Sequence, residues 1–152
     1  ALAAALVCLR YGIDPQAIRA GIESFTGADR RFERRGTCNG AVVLDDYAHH
    51  PTEIAATLKA ARNYPHKTLW CAFQPHTYTR TKAFLKDFAS SLALADKVIL
   101  ADIYAAREKD PGDISSKTLQ EEMKKLGKDA YYFPDFEWLP VPYHIPYSLA
   151  RQ

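Results

Sequence analysis

The sequence LDDYAHHPTE, at residues 44–53, follows an apolar, β-branched segment and contains a proline that suits the first turn of a helix. Two carboxylates, a phenol and two imidazoles lie between those elements. In an open α/β sheet such a connection lies at the carboxyl end of a strand, where these folds bind ligands. The segment therefore predicts a buried strand over 41–44, a helix from Pro51 and a candidate site between them. An ordinary connection with solvated polar residues is the alternative.

The same pattern occurs twice more along the chain. Apolar segments of strand length, at 68–73 and 97–101, each end in a polar turn, and amphipathic helices are predicted between the strands, with a final strand at 130–133. The resulting order βαβαβαβ implies right-handed crossovers. We therefore predict an α/β, Rossmann-like fold, with a mostly parallel sheet flanked by helices on both faces.

The N-terminal part of the chain predicts two linker helices that precede this fold. An Ala/Leu-rich segment over 1–11 predicts a packed helix that Gly12 can end, and Asp14-Pro15 supplies an N-cap and a first-turn proline for a second helix to about Phe25. The dipeptide Asn39-Gly40 predicts a two-residue β-hairpin turn, because it accepts the positive φ angles that such turns require.

Composition excludes several classes of function. The 20 basic and 18 acidic residues nearly balance, which argues against a nucleic-acid-coating surface or a polybasic membrane anchor. The three cysteines, an odd number, favour reduced structural thiols in a cytoplasmic protein. The chain contains no Walker A loop, no G-x-G-x-x-G fingerprint and no G-x-S-x-G nucleophile motif, and no histidine spacing typical of a zinc site, so we expect no metal ligands.

The polar turns indicate an anion-binding site. Asp46 and His49 occupy the first turn, His76 and Arg80 the second, and the pair Arg107-Glu108 the third, all at the same edge of the predicted sheet. Upstream, four arginines fall within residues 30–35, where guanidinium groups match the geometry of phosphate oxygens. A solvated, charge-alternating linker is the other interpretation of that cluster.

Four motifs in order, FTG with RRFE at 25–33, DDYAHHPTE at 45–53, FQPHTYTR at 73–80 and DIYAARE at 102–108, resemble the C-terminal part of the Mur ligases of peptidoglycan synthesis. Within that family they are most similar to the ligases that add L-alanine to UDP-N-acetylmuramate. The resemblance implies a cytoplasmic, ATP-dependent amide-forming enzyme that activates the muramoyl carboxylate as an acyl phosphate. It also implies Mg²⁺, with its ligands and the P-loop in a central domain and the UDP-sugar site in an N-terminal domain.

The resemblance implies roles for particular residues. Arg31 is similar to the arginine that reaches the ATP γ-phosphate, Asp46 is similar to the aspartate that contacts the nucleotide ribose, and Tyr47 adjoins it on the nucleotide side. His49 and Arg80 are similar to the groups that bind the alanine carboxylate, with His76 beside them. Neither nucleic acid nor a membrane is an expected partner.

The implied domains are the helical end of the central domain with its linker at 1–28, the Rossmann-like C-terminal domain at 29–137, and an atypical proline-rich tail at 138–152. We therefore expect the chain alone to be inactive. Some members of the family carry a second arginine where this chain has Thr77, and the tail lacks the family's usual Gly-Asp-rich continuation. The ligase that recycles a preformed tripeptide and a non-catalytic nucleotide- or anion-binding module are the alternatives.

Overall fold

The computed structural model describes residues 1–134, so the predicted tail at 138–152 lies outside the described residues. The first two elements are α1, Leu2–Arg10, and α2, Pro15–Glu23. The Asp14 carboxylate accepts the N–H of Gln16 at 2.6 Å and caps α2 as predicted. The prediction that the first helix is packed is wrong for the described structure, because α1 has no buried residue and Leu2 is 76% exposed.

A β-hairpin follows, with β1 at Glu33–Cys38 and β2 at Ala41–Asp45. Asn39 and Gly40 have φ angles of 48° and 83°, which is the left-handed backbone that the two-residue turn requires. The predicted hairpin is therefore confirmed, but the prediction that 41–44 is a buried strand of the parallel sheet is wrong. β2 pairs antiparallel with β1 in a separate two-stranded sheet and stays exposed or half-buried, because the tight turn selects its sequence neighbour as its partner.

The main sheet of the described residues has three parallel strands in the order β3-β4-β5, formed by Trp70–Phe73, Lys97–Leu100 and Ala130–Tyr132. Helix α3, at Pro51–Ala61, precedes β3. Helices α4, at Tyr78–Ala83, and α5, at Leu85–Leu92, connect β3 to β4, and α6, at Ser116–Lys125, connects β4 to β5. The sequence predicts one amphipathic helix between β3 and β4, but the structure has two, because the backbone breaks at Phe84 with φ −111° and ψ 23°. The predicted α/β class, with a parallel sheet and flanking helices, is confirmed.

The core lies between the sheet and three of the helices. Phe73, Val98 and Leu100 point to that side, where they pack with Phe88 of α5 and Leu119 of α6. Burial of such side chains supplies the main driving force for folding.

The opposite face of the sheet is open within residues 1–134, so helices on both faces are not found in that part of the chain. Trp70 and Tyr131 lie on the open face, 54% and 44% exposed, and their rings stack with centroids 5.8 Å apart.

The remaining sequence expectations concern cysteines and membranes. Cys8, Cys38 and Cys71 are all free thiols, and burial raises the pKa of Cys71 to about 12, so that this thiol is inert at neutral pH. No helix within residues 1–134 is long and apolar enough to cross a bilayer.

Candidate functional site

The turn after β2 is organised by the start of α3. His50 is the N-cap residue, and its Nδ1 accepts the N–H of Thr52 at 3.3 Å, so Nδ1 carries no proton and the ring NH lies on Nε2. The Glu53 carboxylate accepts the N–H groups of His49 and His50 at 3.1 and 3.3 Å. The hydrogen bond from the His49 amide holds the pKa of Glu53 below its usual range. The His50 amide and the charges of His49 and Arg31 act in the same direction, and burial of the carboxylate opposes them. These bonds fix the backbone on which His49 is presented.

Asp46 fastens the arginine-bearing segment to this turn. One carboxylate oxygen accepts the N–H of Phe32 and the other accepts the N–H of Ala48, each at 2.8 Å. The N–H of Tyr47 donates to the carbonyl oxygen of Arg30 at 2.7 Å. The two segments, distant in sequence, are therefore joined by two hydrogen bonds, Phe32 to Asp46 and Tyr47 to Arg30, while the bond from Ala48 lies within the turn. Asp46 thus has a structural role beyond the ligand contact implied by resemblance.

Arg30 and Arg31 both lie over the ring of Tyr47. Their guanidinium carbons are 4.8 and 5.8 Å from the ring centroid, within the range of cation–π interactions. The backbone of Arg30 has φ 55° and that of Phe32 has φ 51°, conformations that non-glycine residues rarely adopt without tertiary support.

The two arginines differ in their readiness for a ligand. Arg31 is exposed, whereas the Nε of Arg30 is buried and has no hydrogen-bond partner within residues 1–134. An unpaired guanidinium donor beside an exposed one fits an anionic group such as phosphate.

The second turn is joined to the third by backbone bonds. The N–H of Thr77 donates to the carbonyl of Tyr104 at 2.9 Å, and the N–H of Tyr104 donates to the carbonyl of Pro75 at 2.8 Å. These bonds extend the pairing of β3 and β4 as a parallel bridge between His76 and Tyr104, whose rings lie 5.3 Å apart.

Arg80 and His49 lie close enough to His76 for their charges to act on its imidazole. Burial lowers the pKa of His76 below its ordinary value, and the nearby charges of Arg80 and His49 lower it further, while Glu108 opposes the change. His76 is therefore neutral at pH 7, and its buried Nδ1 has no hydrogen-bond partner within the described residues. A site with one fixed cation and two imidazoles suits a small carboxylate.

The orientation of His49 is set by its own turn. Its Nδ1 lies 3.0 Å from the carbonyl oxygen of Tyr47 and donates to it, which leaves Nε2 for a ligand. The same Nδ1 is 3.7 Å from Glu53, and the His49 ring meets the Tyr47 ring edge-on at 5.2 Å. Tyr47, 46% exposed, thus contacts both the arginines and the histidine.

The third turn contributes an anchor. Glu108 binds Thr79, at the start of α4, through both carboxylate oxygens, one to the main-chain N–H and one to the hydroxyl. Arg107, which sequence reasoning grouped with it, lies exposed. The bonding of Glu108 could not be read from the sequence, because its partner lies 29 residues away; its position in a polar turn at a strand end was the available signal.

Comparison with known proteins places the chain. The family model described as Mur ligase, glutamate ligase domain, matches residues 30–140. The chain belongs to this family. The Mur ligase match begins at Arg30, where the arginine-bearing segment docks on the turn after β2. It includes the six residues to which the resemblance gave roles, which are Arg31, Asp46, Tyr47, His49, His76 and Arg80.

Individual Mur ligases are similar over most of the chain. The UDP-N-acetylmuramate–L-alanine ligase of Lachnoclostridium phytofermentans is 63% identical over 120 residues, which are 79% of this chain and 26% of that protein. The crystal structure of the UDP-N-acetylmuramate-alanine ligase of Thermotoga maritima superposes with a TM-score of 0.67 at 30% identity, covering 84% of this chain and 26% of that one.

A murein peptide ligase from Psychrobacter arcticus superposes with a TM-score of 0.55 at 26% identity, covering 76% of this chain and 24% of that one. The chain thus spans about a quarter of the length of these relatives.

Within residues 1–134 no group of three His, Cys, Asp or Glu side chains is arranged to bind a metal ion.

Proposed function

We propose that this chain is the C-terminal domain of an ATP-dependent ligase that joins L-alanine to UDP-N-acetylmuramate in peptidoglycan synthesis, and so serves cell-wall biogenesis, cell shape and cell division. The observation that carries the proposal is the proximity of His49 and Arg80 to His76. His49 belongs to the turn on which the arginine-bearing segment docks. The 63% identity to an L-alanine ligase supports this substrate.

In this proposal the histidine and arginine group binds the carboxylate of L-alanine. Arg80 supplies a permanent positive charge, and the Nε2 of His49 donates to the carboxylate when the imidazole carries its second proton. His76, neutral at pH 7, presents an imidazole whose uncharged state lowers repulsion with Arg80. Binding of this carboxylate orients the amino group for attack, since holding reactants in place lowers the entropic part of the barrier.

The arginine segment serves the nucleotide. Arg31, exposed at the docked segment, contacts the γ-phosphate and acts as the catalytic arginine, and Tyr47 and Asp46 face the nucleoside. Arg30 supports them through its contact with Tyr47 at 4.8 Å. Since both oxygens of Asp46 already accept amides, its contact with a ribose hydroxyl uses the remaining lone pairs.

ATP supplies the phosphoryl group that activates the muramoyl carboxylate as an acyl phosphate. We place the Mg²⁺ ligands, the P-loop and the UDP-sugar site in parts of the protein outside this chain, with residues 1–28 as the end of the central domain and 29–137 as the C-terminal domain. The complete enzyme is cytoplasmic in this proposal, where its nucleotide substrates are made available.

The test uses the complete protein, with ADP release measured in the presence of ATP, Mg²⁺ and UDP-N-acetylmuramate. We expect release to depend on L-alanine, and the 152-residue chain alone to show none. Release by the isolated chain would contradict the proposed division of labour. Nucleotide binding without any amino-acid-dependent turnover by the complete protein would favour a non-catalytic binding module.

The recycling ligase remains the second candidate, because the Psychrobacter arcticus murein peptide ligase shares the fold at 26% identity. The same assay separates the two. Substituting the tripeptide L-alanyl-γ-D-glutamyl-diaminopimelate for L-alanine should abolish turnover, and a preference for the tripeptide would establish the recycling activity instead.

A further inference from the structure

The short helix α4 begins without a cap of its own. Its N-cap residue, Thr77, has φ 66° and ψ 142°, and its side chain makes no capping hydrogen bond. The first N–H groups of a helix have no partner within the helix and need acceptors from elsewhere. A side chain outside the helix therefore has to accept the hydrogen bonds of these N–H groups in place of Thr77.

Glu108 supplies that acceptor. Its Oε2 accepts the main-chain N–H of Thr79 at 3.0 Å, and its Oε1 accepts the Thr79 hydroxyl. The hydroxyl and amide of Thr79 hold the pKa of Glu108 below its usual range, so the carboxylate is charged at neutral pH. A negative charge at this end of a helix is also favoured by the helix dipole.

The opposite side of α4 is fixed by a buried threonine. Thr81 is fully buried, and its hydroxyl donates to the carbonyl of Thr77 at 2.7 Å. Arg80 lies between Thr79, which Glu108 anchors from outside, and Thr81, which the core anchors from inside. The rotation of the helix, and with it the direction in which Arg80 leaves the backbone, is thus set from both sides.

We propose that Glu108 is a positioning residue for amino-acid recognition: by capping α4 from the third turn, it fixes the position of Arg80 near the His49 and His76 imidazoles. This inference rests on the proposed function. It gives the third turn a role in substrate specificity without contact with the substrate, since both Glu108 oxygens are directed to Thr79.

The test compares Glu108→Ala with Glu121→Ala, a matched change at an exposed glutamate of α6, in the complete protein. Loss of a cap should raise the KM for L-alanine about fivefold, with kcat and the KM for ATP changed by less than about twofold. Glu108→Gln, which keeps one acceptor, should give an intermediate KM, and Glu121→Ala should match the unaltered protein.

If the role of Glu108 is merely structural, Glu108→Ala should raise the KM for L-alanine and the KM for ATP together, or leave the KM for L-alanine unchanged. Either result in an active enzyme would overturn this inference and leave the proposed function standing. Inactivity of the unaltered protein would overturn the proposed function and this inference with it. If Glu108→Ala does not fold, Thr79→Val supplies the measurement, because it removes the hydroxyl bond and keeps the amide bond. Its alanine KM should then rise selectively, and an unchanged value would contradict the proposal.

Discussion

The carboxylate of Asp46 accepts a hydrogen bond from the main-chain N–H of Phe32 at 2.8 Å, across 14 residues of sequence. Phe32 adjoins Arg31 and has a positive φ of 51°, so this bond holds a strained segment in the place where its arginine faces the turn. The second oxygen of Asp46 accepts the N–H of Ala48. A residue that resemblance assigns to nucleotide binding thus also builds the site.

Asp46→Ala should lower the free energy of unfolding by about 2 kcal/mol, because two half-buried amides lose a charged acceptor. The adjacent Asp45→Ala is the control. Asp45 makes only a partly exposed ion pair with Arg35, at 3.1 Å, and its loss should cost less than about 1 kcal/mol. Urea denaturation of both variants measures the difference, and equal effects would show that Asp46 does not join the two segments.

The His76 imidazole should titrate below 6.5, its ordinary value, because burial and the charges of Arg80 and His49 disfavour its protonation. As pH falls through 6.5, the unfolded chain therefore binds more protons than the folded chain. The free energy of unfolding should decrease from that pH down to the lower pKa of the folded His76. NMR titration of the ring protons gives the midpoint, and Arg80→Ala should raise it.

His76→Gln should remove this part of the pH dependence of stability, while His66→Gln, a change in an exposed loop, should not. A His76 midpoint at or above 6.5 would contradict the environment described for this side chain.

Local signals in the sequence predicted those parts of the fold that depend on neighbouring residues. Two helices start where the sequence predicts, at Asp14-Pro15 and at Pro51, and the hairpin turn lies at Asn39-Gly40 as predicted. These predictions hold because capping and turn chemistry act over a few residues. The segment 41–44 was assigned to the wrong sheet, because a short apolar run fits a parallel strand and a hairpin arm equally well.

The positions of some candidate residues followed from a general property of parallel sheets, whose strand ends share an edge. That property accounts for His76 and for Tyr104, which follow the paired strands β3 and β4, but not for His49, because β2 lies in a separate hairpin. It could not predict the positive φ angle of Thr77, which local preference disfavours. Distant parts of the chain support that angle, because the N–H of Thr77 donates to Tyr104 and the following Thr79 donates to Glu108. Long-range bonding of this kind has no pattern in a single sequence.

Arg31→Ala in the complete enzyme should lower kcat on the order of a thousandfold, if Arg31 stabilises the transferring phosphoryl group as arginine fingers do. Arg35→Ala is the matched control, because Arg35 is bound at the hairpin surface to Glu33 and Asp45, each at 3.1 Å. Steady-state ADP release measures both variants. Comparable rates for Arg31→Ala and Arg35→Ala would indicate that another group stabilises the transferring phosphoryl group, and Arg30 would be the first residue to test.

Arg80→Ala should raise the KM for L-alanine with little change in kcat, because a side chain that binds the carboxylate equally in ground and transition states affects binding alone. The size should be about tenfold to a hundredfold, the range for losing a charge-assisted hydrogen bond. Lys82→Ala, on the same helix, removes an equal charge that is paired with Asp113 and should leave this KM unchanged. Since His49 and His76 face the same group, His49→Ala should add to the Arg80→Ala effect by less than its own separate effect. An unaltered alanine KM in Arg80→Ala would place the amino-acid site elsewhere in the protein.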